Sequence, residues 1–290
     1  MIYLSSLEKL YDLKLWPMDP EDPVAIKRFE DIVSLFRYLY ENHGFFEEIS
    51  KLNTLRIIDL MAGTGIAGAA IAKSIIGLGI TPELTLVDIR RSDLEKVYQW
   101  LRKARIEDKV KVELIESDIK ELYLTLEDRK DYYDIALIWG SSAPHLDAWD
   151  MVKAYSNISY LLKPNGLLLM EEGDRIYNVL YLMGYKDFFI EGETKEGKLA
   201  NIHSGYDWRR GVFKRAFYLL PGFREVGEFD VRFWDLAGLS SLGWVFFRDV
   251  DIVPRKIHKQ QNVSSVILFK DPRKKLVPDD FFSTPKLLRK

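Results

Sequence analysis

The spacing of apolar positions changes along this 290-residue chain, and the changes divide it into segments. From Val24, apolar side chains recur at Ile26, Phe29, Ile32, Val33, Phe36, Leu39 and Tyr40. This three-to-four spacing predicts a helix with one broad buried face. Asp22-Pro23 supplies its cap and first-turn proline, His43-Gly44 its end, and Ser5-x-x-Glu8 a capping box for a shorter helix before it. From Leu55 to Glu171 short apolar runs alternate with helical patterns. Strands are expected near Leu55–Leu60, Leu84–Asp88, Val110–Ile115, Tyr133–Trp139 and Leu167–Glu171. The intervening helices are expected near Ile66–Ile76, Ser92–Ala104, Ile119–Leu126 and Trp149–Leu161, with Ser92-x-x-Glu95 capping the second. Strict alternation of this kind predicts an α/β fold with a mainly parallel sheet and right-handed crossovers.

Beyond Glu171 the pattern loosens. A short helix is expected at Ile176–Met183, a second at Trp208–Leu219, and strands near Arg224–Phe233 and Val263–Phe269. Between the two helices, Asp187–Gly205 is polar and contains glycine, and Glu191 to Lys198 offers no apolar side chain to bury. A long segment of that composition in a compact enzyme reads as a lid. The expected organisation is an N-terminal helical cap (1–52), a cofactor-binding core (53–186), a lid-like insertion (187–211), a C-terminal helix with closing strands (212–270) and a basic tail (271–290).

Chemistry enters at Arg56-Ile57-Ile58-Asp59-Leu60-Met61-Ala62-Gly63-Thr64-Gly65-Ile66-Ala67-Gly68, where an apolar strand runs through a glycine-rich turn into a helix. Gly63-x-Gly65-x-x-Gly68, followed by Asp88 at the end of the next strand, formally matches the dinucleotide fingerprint. That keeps a nicotinamide-dependent oxidoreductase, or a cofactor-binding protein without transferase activity, among the readings. Asp59 favours another. A pyrophosphate at the helix N-terminus would disfavour a carboxylate close by, whereas a cofactor carrying an ammonium group, such as S-adenosylmethionine, suits it.

From Leu55 to about Glu171 the chain resembles the class I S-adenosylmethionine-dependent methyltransferases. Their loop, acidic-x-G-x-G-x-G, is similar to Asp59-Leu60-Met61-Ala62-Gly63-Thr64-Gly65, with Met61 where the family usually has its first glycine. Leu84-Thr85-Leu86-Val87-Asp88 resembles the second family strand, and Glu113-Leu114-Ile115-Glu116-Ser117-Asp118-Ile119 the third. Tyr133-Asp134-Ile135-Ala136-Leu137-Ile138-Trp139-Gly140 resembles the fourth, and Leu161-Leu162-Lys163-Pro164-Asn165-Gly166 the turn before the fifth. The resemblance implies a doubly wound, mainly parallel seven-stranded sheet of the Rossmann-like methyltransferase type. It also implies a site for S-adenosylmethionine made by Asp59, Met61, Ala62, Gly63 and Gly65 in the loop, and by Asp88 and Ile89 at the ribose. Asp118 and Ile119 would meet the adenine, and Gly140 and Ser141 would lie beside the reacting methyl group.

The segment after the fourth strand is the best guide to the acceptor. Relatives that methylate exocyclic nitrogens of bases carry Asn/Asp-Pro-Pro and an aromatic residue there. Gly140-Ser141-Ser142 is instead similar to the branch acting on small molecules. His145, a few residues on, is a candidate general base, although a histidine at a helix start also serves as a cap. His203, Tyr206 and Trp208 are candidates for binding an acceptor. The aromatics of Phe233–Val253 either wall a pocket or pack between strands.

Composition narrows the rest. An apolar fraction of 47% suffices for a core, and no apolar run is long enough to cross a bilayer. The N-terminus does not read as a signal peptide, so a cytoplasmic location is expected. With no cysteine and only four scattered histidines, no metal motif is present. The absence of cysteine and the 30% of charged residues lean towards a thermophilic source. A net charge of −2 gives no general attraction to nucleic acid. Arg209-Arg210 with Lys214-Arg215, and the tail from Arg273 to Lys290, are candidate docking patches for an RNA or protein acceptor, or else a solvated helix face and a frayed end. The favoured partner is a small-molecule acceptor, methylated on oxygen or nitrogen.

Overall fold

A computed structural model of the protein describes residues 8–255 and 263–289; Ser5 of the first capping box and the terminal Lys290 lie outside them. Residues 8–12 are helical, and α1 follows at Pro23–Asn42. The Asp22 side chain caps α1 by accepting from the amides of Val24 (2.7 Å) and Ala25 (3.4 Å). Ala25, Phe29, Ile32, Phe36 and Leu39 form its buried face, and the ring of Phe29 stacks on Trp100 at 5.2 Å.

The core then runs β1 (Thr54–Leu60), α2 (Ile66–Gly77), β2 (Thr81–Asp88), α3 (Val97–Ala104), β3 (Lys111–Glu116), β4 (Tyr133–Ile138), α4 (Ala148–Leu161) and β5 (Leu162–Gly173). Alternate residues of the central strands enter two apolar layers. Leu55 and Ile57 pack towards α1 and α2, while Ile58 and Leu60 pack with α4 on the other face. β4 is buried along its whole length, as expected of a parallel strand covered on both sides.

After β5 come β6 (Phe188–Thr194), β7 (Gly197–Asp207), β8 (Val212–Leu220), β9 (Arg224–Val231), α5 (Leu236–Trp244), β10 (Phe247–Pro254) and β11 (Ser264–Pro272). The main sheet has the order β10-β11-β5-β4-β1-β2-β3. The five strands β3-β2-β1-β4-β5 are parallel, and the closing β10–β11 hairpin joins β5 through the antiparallel β11. Seven mainly parallel strands flanked by helices are the arrangement the sequence predicts.

Four local expectations need correction. Asp187–Gly205 is not a loop, because β6 and β7 pair across it and turn at Lys195-Glu196. The helix expected at Trp208–Leu219 is instead strand β8. β9 pairs with β8 rather than closing the main sheet, so β6-β7-β8-β9 form a second, antiparallel sheet. The closing strand β10 falls instead within the aromatic segment, where Phe247 is fully buried. The reason lies in distant partners: Leu199, Phe217, Leu219 and Val226 bury their side chains against Leu10, Leu13, Leu15 and Trp16 near the other end of the chain. Ser92 lies inside the helical turn Arg91–Leu94 and makes no cap.

No helix among the described residues is long and apolar enough to cross a membrane. The β1–α2 turn is a tight joint in the core. Gly65 caps α2 at φ 73°, and a Cβ there would stand 2.6 Å from Leu86 and 2.7 Å from Val97. Gly65→Ala combines left-handed strain with overpacking, each costing roughly 1–3 kcal/mol. Chemical denaturation should show a loss of about 2–4 kcal/mol with an unchanged m-value; a loss below about 1 kcal/mol would show that the turn relaxes freely.

Candidate active site

Acidic side chains stand at or just past the C-terminal ends of three adjacent parallel strands, outside which ligands bind in such sheets. Asp59, the penultimate residue of β1, is 1% exposed. Its Oδ2 accepts from the amide of Gly68 at 2.8 Å, tying the first turn of α2 to the strand, while Oδ1 is buried and has no hydrogen-bond partner. Gly68 is needed for this approach, since a Cβ would lie 2.8 Å from Asp59 Oδ2. Burial, opposed by the Gly68 hydrogen bond, raises the Asp59 pKa to about 7.

Asp88, at the end of β2, holds the glycine loop from the other side. Its Oδ2 accepts from the amide of Gly63 at 2.8 Å, and its Oδ1 from the amide of Arg90 at 2.9 Å and from Arg90 Nε at 3.3 Å. The guanidinium of Arg90 also pairs with Asp93 and lies 4.0 Å from the ring centre of Tyr11. Asp118 follows β3, accepts from the amide of Lys120 at 3.0 Å and lies 3.3 Å from its Nζ.

A cleft at these strand ends is lined by Tyr11, Met61, Asp88, Ile89, Arg90, Ser117, Asp118, Ile119, Lys120, Ser142, His145 and Leu146. The sequence-derived residues Met61, Asp88, Ile89, Asp118, Ile119 and His145 therefore meet in one place. Met61 adopts φ 54°, the left-handed conformation that explains a glycine in the related loop pattern. Ala62, whose amide donates to Val87 O at 3.0 Å, fixes the loop to β2.

After β4, Gly140 (φ 84°) and Ser141 (φ 59°) turn the chain, and the Gly140 amide donates to Glu171 Oε2 at 3.0 Å. Glu171 is also paired with Arg255. His145 sits in a helical turn beneath β9, 5.6 Å from Phe229 between ring centres. Burial, then the charges of Arg175 and Arg90, lower its pKa to about 4, so its ring is neutral at pH 7.

His203, Tyr206 and Trp208 are not among the cleft-lining residues. His203 bonds the hydroxyl of Tyr185 at 2.6 Å, which itself accepts from Arg215; Tyr206 is exposed on β7 and Trp208 in the turn between β7 and β8. Sequence reasoning missed Tyr11, Arg90, Lys120 and the Glu171–Arg255 pair. Arg90, two residues after Asp88, and Lys120, two residues after Asp118, stand near residues already singled out; Tyr11 and Arg255 do not.

Residues 57–166 match the family model described as a methyltransferase domain. No curated protein matches the chain. Among solved structures, the PH0226 protein of Pyrococcus horikoshii OT3 superposes with a TM-score of 0.58 at 14% identity, covering 89% of this chain and 97% of its own. An S-adenosylmethionine-dependent methyltransferase from Clostridium acetobutylicum ATCC 824 gives 0.52 at 16% identity, covering 82% and 97%. One from Methanosarcina mazei gives 0.50 at 14% identity, covering 78% and 97%. At these identities the likeness is one of fold.

Asp59 also makes the site a source of instability. An acid whose folded pKa lies above its unfolded value of 3.8 binds more protons folded than unfolded between the two values, so its contribution falls as pH rises from about 4 to 7. Asp59→Asn keeps an acceptor for Gly68 and removes that loss. Thermal melts should show the variant gaining stability over the parent, more at pH 8 than at pH 5; a gain independent of pH would show that Asp59 does not titrate there.

Proposed function

We propose that the chain, an enzyme carrying a class I S-adenosylmethionine-dependent methyltransferase domain, methylates an oxygen or nitrogen of a small organic acceptor. The observation that carries this reading is the roof over the segment after β4. The Arg232 amide, just past β9, donates to Pro144 O at 2.9 Å, Phe229 packs on His145, and the Trp149 indole donates to Arg209 O at 3.1 Å. Arg210 bonds Asp147 at the start of α4 and Asp230 on β9, each at 2.5 Å. On the loop side, Tyr11 lies against Arg90 and Thr64 donates to Met18 O at 3.2 Å. An acceptor must fit beneath these elements, which favours a small molecule over a polymer.

The alternative, an RNA or protein acceptor, draws on the basic clusters, and several of those charges are engaged within the chain. Arg210 is bound as above, and Arg215 by Asn201, Tyr185 and Lys186 O. Arg273 donates to Phe247 O at 2.8 Å, and Lys274 donates to the carbonyls of Ser159 and Tyr160 at the end of α4 while pairing with Asp131.

The residues present fit the cofactor. Buried Asp59 offers an unpartnered acceptor to an ammonium group, Asp88 has lone pairs left for ribose hydroxyls, and Asp118 suits the adenine amino group, with Ile89 and Ile119 against the base. When bound, the cofactor supplies a sulfonium-activated methyl group for in-line transfer. Gly140 and Ser141 bring backbone, not bulk, to the acceptor side, so positioning provides most of the rate. His145, neutral at pH 7, receives the acceptor's proton where there is one to lose.

Two measurements test these roles. Asp88→Asn keeps an acceptor for the Gly63 amide but removes the charge, and should weaken S-adenosylhomocysteine binding by about tenfold or more in calorimetry. Unchanged affinity would place the ribose elsewhere. His145→Ala should lower kcat by roughly 10²–10⁴-fold with cofactor affinity preserved. Because the active form is the neutral ring, the rate of the parent should rise through about pH 4 and be level in this respect from pH 6 upwards. A parent-like kcat in the variant would leave a purely positional mechanism. For the acceptor class, KM should change little between about 50 and 200 mM salt, whereas contacts to several phosphates would weaken it by orders of magnitude.

A further inference from the structure

We propose that His203 anchors the acceptor, holding a carboxylate on a small hydroxylated aromatic molecule at the end away from the methylated atom; this deepens the small-molecule reading above and rests on it. Three side chains stand in a row across one face of the second sheet. His203 on β7 is paired with Arg215 on β8, and Arg215 with Phe229 on β9. Directly opposed residues of antiparallel strands share a face. Phe229 is the ring that packs on His145, 5.6 Å away. Two strand spacings separate His203 from Phe229, so the row extends roughly 10 Å from the side of the cleft where His145 stands. The half-buried rings of Phe213 and Phe233 join the two ends. Phe213 lies 6.1 Å from His203 and stacks on Phe233 at 4.8 Å. Phe233 is flanked by Arg232 and Trp234, which bond the carbonyls of Pro144, Ala143 and Leu146 around His145. A wall of rings matches a flat apolar body.

A hydrogen-bond relay fixes what His203 presents. Arg215 Nη1 donates to the Tyr185 hydroxyl at 2.9 Å, and that oxygen lies 2.6 Å from His203 Nδ1. The hydroxyl's one proton has no other acceptor among the described residues, so it is given to Nδ1, and the ring carries its own proton on Nε2. Nε2 makes no hydrogen bond among the described residues. Arg215 is 4% exposed, and its donors all go to neutral acceptors: Asn201 Oδ1, Asn201 O, Tyr185 and Lys186 O. Among the described residues it forms no ion pair, and Glu191 is reached only through the side-chain amide of Asn201. Its hydrogen bonds are satisfied and its charge is not. The relay thus ends in an N–H donor backed by a buried guanidinium, an arrangement that favours an anion such as a carboxylate.

The test uses the full chain saturated with S-adenosylhomocysteine and two probes, 4-hydroxycinnamate and its neutral amide. In calorimetry the acid should bind about tenfold or more tighter than the amide. His203→Phe keeps a ring and removes the donor; it should bring the two probes within about twofold of each other and leave S-adenosylhomocysteine affinity at the parent's value. Tyr185→Phe breaks the relay with His203 in place and should lose part of the preference. A parent chain that binds the acid no better than the amide, or binds neither probe, overturns the proposal, as does a His203→Phe chain that keeps the parent's preference. Loss of S-adenosylhomocysteine affinity together with the preference would make His203 a structural residue and overturn it as well. A parent chain that does not bind S-adenosylhomocysteine overturns the methyltransferase reading itself, a result distinct from failure at His203.

Discussion

The glycine loop between β1 and α2 is held open by two carboxylates, and the rest of the site depends on that clasp. Met61, Gly63 and Gly65 are all left-handed, so the loop cannot close a regular run of backbone hydrogen bonds. Asp59 anchors its helical side through Gly68, and Asp88 anchors its crest through Gly63. Asp88 also fixes Arg90, and Arg90 in turn carries Tyr11, so the position of the N-terminal segment is set by the same carboxylate. A loop held by charge-assisted bonds from two strands is presented without reorganisation to whatever binds over it, which is where preorganised sites gain affinity.

The second sheet solves a different problem. Its own apolar cluster is small, and it is completed by residues 10–16 on one side and by polar docking to the segment after β4 on the other. Arg210 joins Asp147, which also caps α4, to Asp230 on β9. The N-terminal segment thus lies between the added sheet and the cleft, with leucines facing the sheet and Tyr11 facing Arg90. The two elements share one apolar cluster, so each covers surface that the other would otherwise leave exposed.

What could be read from the sequence follows from where each element's partners lie. β1, β2, β4 and β5 are covered on both faces, so their apolar runs announce them whatever packs on top. The loop is legible because only glycine accepts such torsions without strain, and Met61 is legible as the exception. The second sheet was not, because its alternation is broken by Arg215, a charge buried in the sheet and satisfied by Asn201 and Tyr185, and because its apolar partners sit some two hundred residues earlier. Ser92 shows the same limit at small scale: a capping pattern is local, whereas the Asp88–Arg90–Asp93 network sets where that turn begins. Asp59, Asp88 and Asp118 were found through their place at strand ends, which topology fixes. Tyr11 comes from outside the alternating core, and no spacing rule brings it to the cleft.

The electrostatics of the acceptor side bear on how a histidine with so low a pKa could work as a base. Taken alone, a value of about 4 makes His145 a poor proton acceptor from an ordinary hydroxyl or ammonium group. Burial is the larger cause of that value, and a buried acceptor hydroxyl would be penalised for ionising in the same way. The second cause, the nearby charges of Arg175 and Arg90, acts with the opposite sign on the two partners: it disfavours imidazolium and favours the acceptor's anion. Proton transfer is governed by the difference between the two pKa values, so the same cations that weaken His145 as a base strengthen the acceptor as an acid. On the proposal that His145 takes the acceptor's proton, those cations assist an acceptor that becomes anionic as it loses its proton, such as an oxygen nucleophile.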